Sequence, residues 1–200
     1  ILKKRKTLGS RNPQLKYTLS LLNGYLKLIN KDYDGSLKIL KKEISDDYLL
    51  EDYRLFFISK ILFEKALILS EKKDLKGGLN LLKESHKNLL EIFENFPETV
   101  FLQELPEELS KVEFQISKIY LKQKALKFAY QFLKIVSLRT KNFSLKQQAE
   151  IEMFKLFLLT KEEKKALELG SKIQEELLPE NQTEFEEFLK KTPKFTKVFL

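Results

Sequence analysis

Apolar residues return at intervals of three and four along nearly the whole chain. Leu15, Leu19, Leu22, Leu26 and Ile29 follow Asn12-Pro13 at helical spacing, which predicts a first helix opened by that pair. A turn over Asn30 to Asp34 leads to a second helix with Leu37, Leu40 and Ile44 on one face. Ser45-Asp46-Asp47 offers caps for a third helix from about Tyr48 to Ser70, because their side-chain oxygens can accept from orphan amides. That helix carries Leu55, Phe56, Phe57, Ile58, Ile61, Leu62, Phe63, Ala66 and Leu67 on more than one side. Such a distribution suits a helix wedged between neighbours and not one wetted on half its surface.

The same reading continues to the end. Asp74 caps a fourth helix to about Asn95, and Pro97 and Pro106 punctuate the passage to a fifth from about Glu107 to Lys122. A sixth covers roughly Ala125 to Arg139 with Phe128, Phe132, Ile135 and Val136 as its stripe. Lys141 to Ser144 turns into a seventh through Ile151, Phe154 and Leu158. Ala166-Leu167 starts an eighth that stops before Pro179, and Thr183 caps a ninth across Phe185, Phe188 and Leu189, ended by Thr192-Pro193. The pattern predicts an all-α chain of about eight or nine helices. Turns of a few residues force each helix to run antiparallel to the next.

Two turns nearly repeat each other. Lys31-Asp32-Tyr33-Asp34-Gly35-Ser36-Leu37 returns as Lys73-Asp74-Leu75-Lys76-Gly77-Gly78-Leu79. Aligning Ala129-Tyr130 and Ala166-Leu167 with Ser36-Leu37 places helix starts near 37, 79, 130 and 167, at steps of 42, 51 and 37. A period of this kind marks stacked helical hairpins, and four hairpins are expected.

Charge changes the picture in one place. The net charge is +8, yet Lys3, Lys4, Arg5, Lys6, Arg11, Lys16 and Lys27 all precede the first acid, Asp32. The remainder is close to neutral. The chain therefore divides into a basic amino-terminal arm, residues 1–14, and a helical-repeat domain, residues 15–200. A nucleic-acid binder would spread its cations along a groove; here they sit in a leading arm at Lys3, Lys4, Arg5, Lys6 and Arg11. Nucleic acid is an unexpected partner of the helical body, and binding of nucleic acid or an anionic surface through that arm alone is a weaker alternative.

Composition narrows the chemistry. Six glycines and five prolines in 200 residues leave few signals for β structure, and no apolar run is long enough to cross a bilayer. Cysteine is absent and His86 is the one histidine, so thiol chemistry and histidine-based metal sites or triads lack their residues. His86 sits within the series Leu79, Leu82, Leu89, Leu90, Phe93, where a hydrogen-bonded core position is expected. The acidic pairs Glu107-Glu108, Glu162-Glu163, Glu175-Glu176 and Glu186-Glu187 point about 100° apart on a helix and read as solvated faces. Gly77-Gly78 lacks the surrounding pattern of a phosphate loop and reads as a tight turn. No catalytic residue, metal site or cofactor is expected. The sole methionine is Met153, which suggests a processed protein or a piece of a larger one. The last stretch, Lys194 to Leu200, carries apolar residues that need a cover, either as the start of another unit or as a docking contact.

Lys-Asp-Tyr-Asp-Gly-Ser-Leu resembles the turn of the tetratricopeptide repeat. Ser36, Gly78, Ala129 and Ala166 stand at its small position and Tyr33 at its aromatic one, with Leu75 and Leu126 as substitutes. The units here exceed that family's length of about 34 residues. Short hairpins followed by Asp47 to Tyr53, by Asn95-Phe96-Pro97-Glu98-Thr99 and by Leu178-Pro179-Glu180-Asn181 resemble the superhelical amino-terminal region of soluble lytic murein transglycosylases. The first resemblance implies a tetratricopeptide-like α-solenoid. The second implies a periplasmic accessory region in cell-wall turnover, with peptidoglycan or envelope proteins as partners; a cytoplasmic location is the alternative. The Glu-Ser and Gly-Leu-Met-Gln motifs of the catalytic domain do not occur. The expected task is that of a non-catalytic scaffold whose concave groove holds another protein or a peptide. Tyr17, Tyr25, Tyr48 and Tyr53, with Arg54, cluster in the first two hairpins and are the candidate lining of that groove.

Overall fold

Residues 13–42 and 49–199 are described by the computed structural model, and among them there is no strand. The chain is all-α. Its helices are α1 (Pro13–Ile29), α2 (Tyr33–Leu40), α3 (Glu51–Glu71), α4 (Leu75–Asn95), α5 (Leu105–Lys122), α6 (Leu126–Arg139), α7 (Phe143–Leu159), α8 (Glu163–Glu175), α9 (Pro179–Lys190) and α10 (Pro193–Phe199). They fall into two compact units, Ile1–Leu105 and Pro106–Leu200.

One turn recurs four times, twice in each unit. Lys31, Lys73, Lys124 and Lys161 have φ of 59°, 64°, 58° and 61°, the left-handed region that a lysine seldom enters. Each amide bonds the carbonyl three residues back, and the next amide bonds the carbonyl five back, as in Lys31 to Leu28 and Asp32 to Lys27. That pairing is the Schellman stop of a helix. The residue that completes it, Asp32, Asp74, Ala125 or Glu162, is at once the N-cap of the following helix. Four residues on stand Ser36, Gly78, Ala129 and Ala166, all buried. In the first turn this small position is where Ser36 meets the backbone of the preceding helix, at Gly24.

Contacts away from each turn establish that the paired helices are antiparallel. In α1/α2 the Ser36 hydroxyl donates to the Gly24 carbonyl at 2.6 Å. In α3/α4 Ser59 and Ser85 each donate to the other's carbonyl, at 3.2 and 2.9 Å. In α5/α6 Tyr120 lies against Phe128 beside the turn, while Arg139 reaches Glu113 at the far end at 2.8 Å. In α7/α8 Lys172 reaches Glu150 at 2.6 Å. Four hairpins stand among the described residues, as the turn spacing predicts.

Each unit has a helix with buried residues on more than one side. α3 buries Leu55, Phe56, Ile58, Ile61, Leu62 and Ala66 in the first, and α7 buries Ala149, Ile151, Met153, Phe154, Leu156 and Phe157 in the second. The wedged helix inferred from residues 55–67 is therefore real. In the second unit Phe154 meets Phe185, Phe188, Phe195 and Phe199 at ring distances of 5.5 to 6.1 Å. Gln147 ties the loop before α9 to α7, donating to the Glu176 carbonyl at 2.7 Å and accepting from the Leu178 amide at 2.9 Å.

Several expectations need correction. The third helix begins at Glu51, and Ile44, the Ser45-Asp46-Asp47 caps and Tyr48 lie outside the described residues. α9 begins at Pro179, whose fixed φ and missing amide suit a first helical turn, and not at Thr183. In the terminal stretch Phe195 and Phe199 are buried within the second unit's core, while Val198 is exposed. Glu107 is half-buried rather than simply solvated. It accepts from the Thr140 hydroxyl at 2.6 Å and from the Lys141 amide at 2.5 Å, closing the exit of α6. His86 is half-buried rather than a fully enclosed core residue.

Candidate partner-binding groove

The first unit carries an open cavity of about 630 Å³. α1 contributes Tyr25, Leu28 and Ile29, the first turn contributes Lys31, α2 contributes Tyr33, and α3 contributes Phe56, Phe57, Lys60 and Glu64. The floor is built from ring contacts. Tyr25 stacks on Phe57 with centroids 4.7 Å apart. Phe101, from the segment between α4 and α5, stacks on Phe56 at 3.9 Å and meets the Tyr53 ring edge-on at 4.9 Å. That segment is tied down by Thr99, whose hydroxyl donates to the buried Asp52 carboxylate at 2.7 Å. Local sequence explains the layout: residues 53, 56, 57, 60 and 64 share one flank of α3, three or four apart.

Two cations border the rings. The Lys60 ammonium lies 5.1 Å from the centre of the Phe56 ring, within cation–π range. Lys31 is exposed at the turn. Its neighbour Asp32 is held below the usual carboxylate range, first by its hydrogen bond with Lys27 and then by the Gly35 amide. The groove thus offers flat apolar ring faces with positive charge at the edge and one carboxylate, Glu64.

The predicted residues distribute unevenly. Tyr25 lines the groove and Tyr53 supports it from behind through Phe101 and Phe57. Tyr17 is half-buried on the amino-terminal half of α1 and does not line it. Tyr48 lies outside the described residues, as do Lys3, Lys4, Arg5, Lys6 and Arg11. Arg54 has structural work: it forks onto Glu51 and its Nη1 donates to the Leu40 carbonyl at 2.8 Å, satisfying the end of α2. Sequence reading missed Phe57, Phe101, Tyr33 and Lys60. Phe57 sits inside the apolar run of the third helix and carries no separate signal, whereas Phe101 falls in the segment between Pro97 and Pro106, off any helical stripe, and that placement was the available signal.

Among the described residues no cluster of three or more His, Cys, Asp or Glu side chains could hold a metal ion. No described helix is long and apolar enough to cross a membrane. The fold and groove define the class: an all-α protein of repeated antiparallel hairpins with an aromatic cleft. Set against known proteins, the chain matches no protein-family model, no curated protein and no solved structure.

Proposed function

We propose that this chain is a non-catalytic helical-repeat scaffold that holds a peptide segment of another protein in the groove of the first unit. One observation carries the reading: five aromatic rings, from Tyr25, Tyr33, Phe56, Phe57 and Phe101, converge on an open cleft bordered by Lys31 and Lys60. Ring faces lining a cleft suit a bulky apolar or aromatic side chain, and the lysines suit a carboxylate beside it. The preferred ligand is an apolar residue flanked by Asp or Glu. The role in cell-wall turnover, with peptidoglycan as partner and the periplasm as site, is supported by the sequence resemblance alone.

The test is selection from a displayed peptide library with the purified chain, followed by titration of the selected peptides. Peptides carrying an aromatic or leucine next to an acid are expected. Tyr25→Ser together with Lys31→Glu should weaken them at least about tenfold, since each removes a surface contact of roughly 1 kcal/mol or more. Peptides whose affinity ignores this pair of substitutions would refute the groove. Tyr53→Ala and Arg54→Ala are poor probes, because Arg54 also holds the end of α2.

A further inference from the structure

We propose that α1 pairs with α1 of a second copy of this chain, antiparallel and across a two-fold axis. The helix has two apolar faces. One, with Leu21 and Gly24, is buried against its own unit. The other carries Leu22, Leu26 and Ile29, exposed by 52%, 57% and 57%. Leu19, half-buried, continues it one turn earlier. An apolar face opposite a buried one is the mark of a helix with neighbours on both sides.

The spacing selects the occupant. Residues 19, 22, 26 and 29 alternate steps of three and four, the seam that two helices share when each inserts side chains between those of the other. Antiparallel pairing sets Leu19 against Ile29 of the second copy and Leu22 against Leu26, so every layer is aliphatic. The same register brings Asn23 opposite Asn23 and Lys16 opposite Asn30. Lys16 is the one charge among these flanking positions, and it meets an amide. Lys27 is already paired with Asp32. Flanks with so little charge neither repel a second copy nor attract a strongly acidic or basic partner. Identical patches facing each other close a symmetric dimer. A seam of about three turns buries on the order of 1,000 Å² in total, at the low end for specific interfaces, so the dimer is a weak one.

The chain has no cysteine, which makes cross-linking clean. Sedimentation equilibrium over low to high micromolar concentrations should show reversible dimerisation that persists in high salt. Leu22→Ser with Leu26→Ser, both at exposed positions, should raise the dissociation constant at least about tenfold. Under oxidation Asn23→Cys should give a covalent dimer and Lys16→Cys should not, while Lys16→Cys combined with Asn30→Cys should. A chain that stays monomeric, a dimer indifferent to the serine pair, or cross-linking of Lys16→Cys in place of Asn23→Cys would each overturn the proposal. Ile29 also lines the aromatic groove, but the substituted positions 16, 22, 23, 26 and 30 do not, so these readouts are separable from peptide binding there.

Discussion

The two turns of the first unit and the two of the second reach one backbone by different side chains. Their N-cap residues share φ between −80° and −87° and ψ between 60° and 74°. In the first unit the cap is Asp32 or Asp74, whose carboxylate accepts from the amide of Gly35 or Gly77 at 3.0 and 2.9 Å. In the second unit Ala125 and Glu162 make no such side-chain bond, and Phe128 and Lys165 stand where the glycines were. What all four retain is the left-handed lysine and a buried small residue four places beyond the cap. The turn is therefore specified by close helix approach, and the capping carboxylate is an addition to it.

The largest effect should come from the shared feature. Ala129 and Ser36 are fully buried, the first in α6 and the second in α2. Leucine at either place forces apart two helices already in contact and should cost about 1–3 kcal/mol or more. Urea unfolding of Ala129→Leu and Ser36→Leu should show midpoints lowered alike. If one unit tolerated leucine while the other did not, the common-approach argument would fail for the tolerant one.

A smaller effect separates the units. A Cβ placed on Gly77 would overlap the Asp74 carboxylate, so alanine there must displace the cap. Asp74→Ala alone should cost about 1 kcal/mol through the lost N-cap. Gly77→Ala alone should be close to neutral, since about 1 kcal/mol of helix propensity offsets the displaced cap. In the Asp74→Ala background the same Gly77→Ala should stabilise by about 1 kcal/mol, because nothing remains to collide with. Equal effects of Gly77→Ala in both backgrounds would mean that the glycines are unrelated to the aspartates.

Much of this was legible before any coordinates. The alignment of Ser36, Gly78, Ala129 and Ala166 located all four turns, because a small residue ahead of a helical stripe has one physical reading there. The left-handed lysines were not legible, since lysine carries no local signature of that conformation. Glu107 was read as solvated because adjacent helical acids diverge, yet divergence left it free to meet Thr140 and Lys141 from a later loop. Likewise Leu22, Leu26 and Ile29 announced a helix without telling which face its own unit would cover. The aromatic groove was half visible. Tyr25 could be named, while Phe57 and Phe101 looked like any other buried rings. Local pattern carried the elements; contacts distant in sequence decided what they present.

The smallest effect is electrostatic and tests the comparison once more. Asp32 in the first unit and Glu162 in the second are both held below their ordinary pKa, Asp32 by Lys27 first and then the Gly35 amide, Glu162 by Lys165 first and then the Thr160 hydroxyl. A carboxylate whose folded pKa lies below its unfolded one adds stability above the unfolded value, near 4, and loses it as the pH falls through the folded one. Both groups are exposed, so water and salt shrink the benefit, and the direct observable is the titration of the carboxyl carbon by NMR. Lys27→Met should move the Asp32 midpoint upward, with part of the depression surviving through the amide. Lys165→Met should move Glu162 likewise, and Thr160→Val should then remove most of what is left. Residual depression of Asp32 after Lys27→Met marks a cap made by the backbone, which the second unit's turns do without. An Asp32 midpoint restored in full by Lys27→Met would show that the cap bond does not hold its proton equilibrium, and the two kinds of turn would then differ in sequence but not in electrostatics.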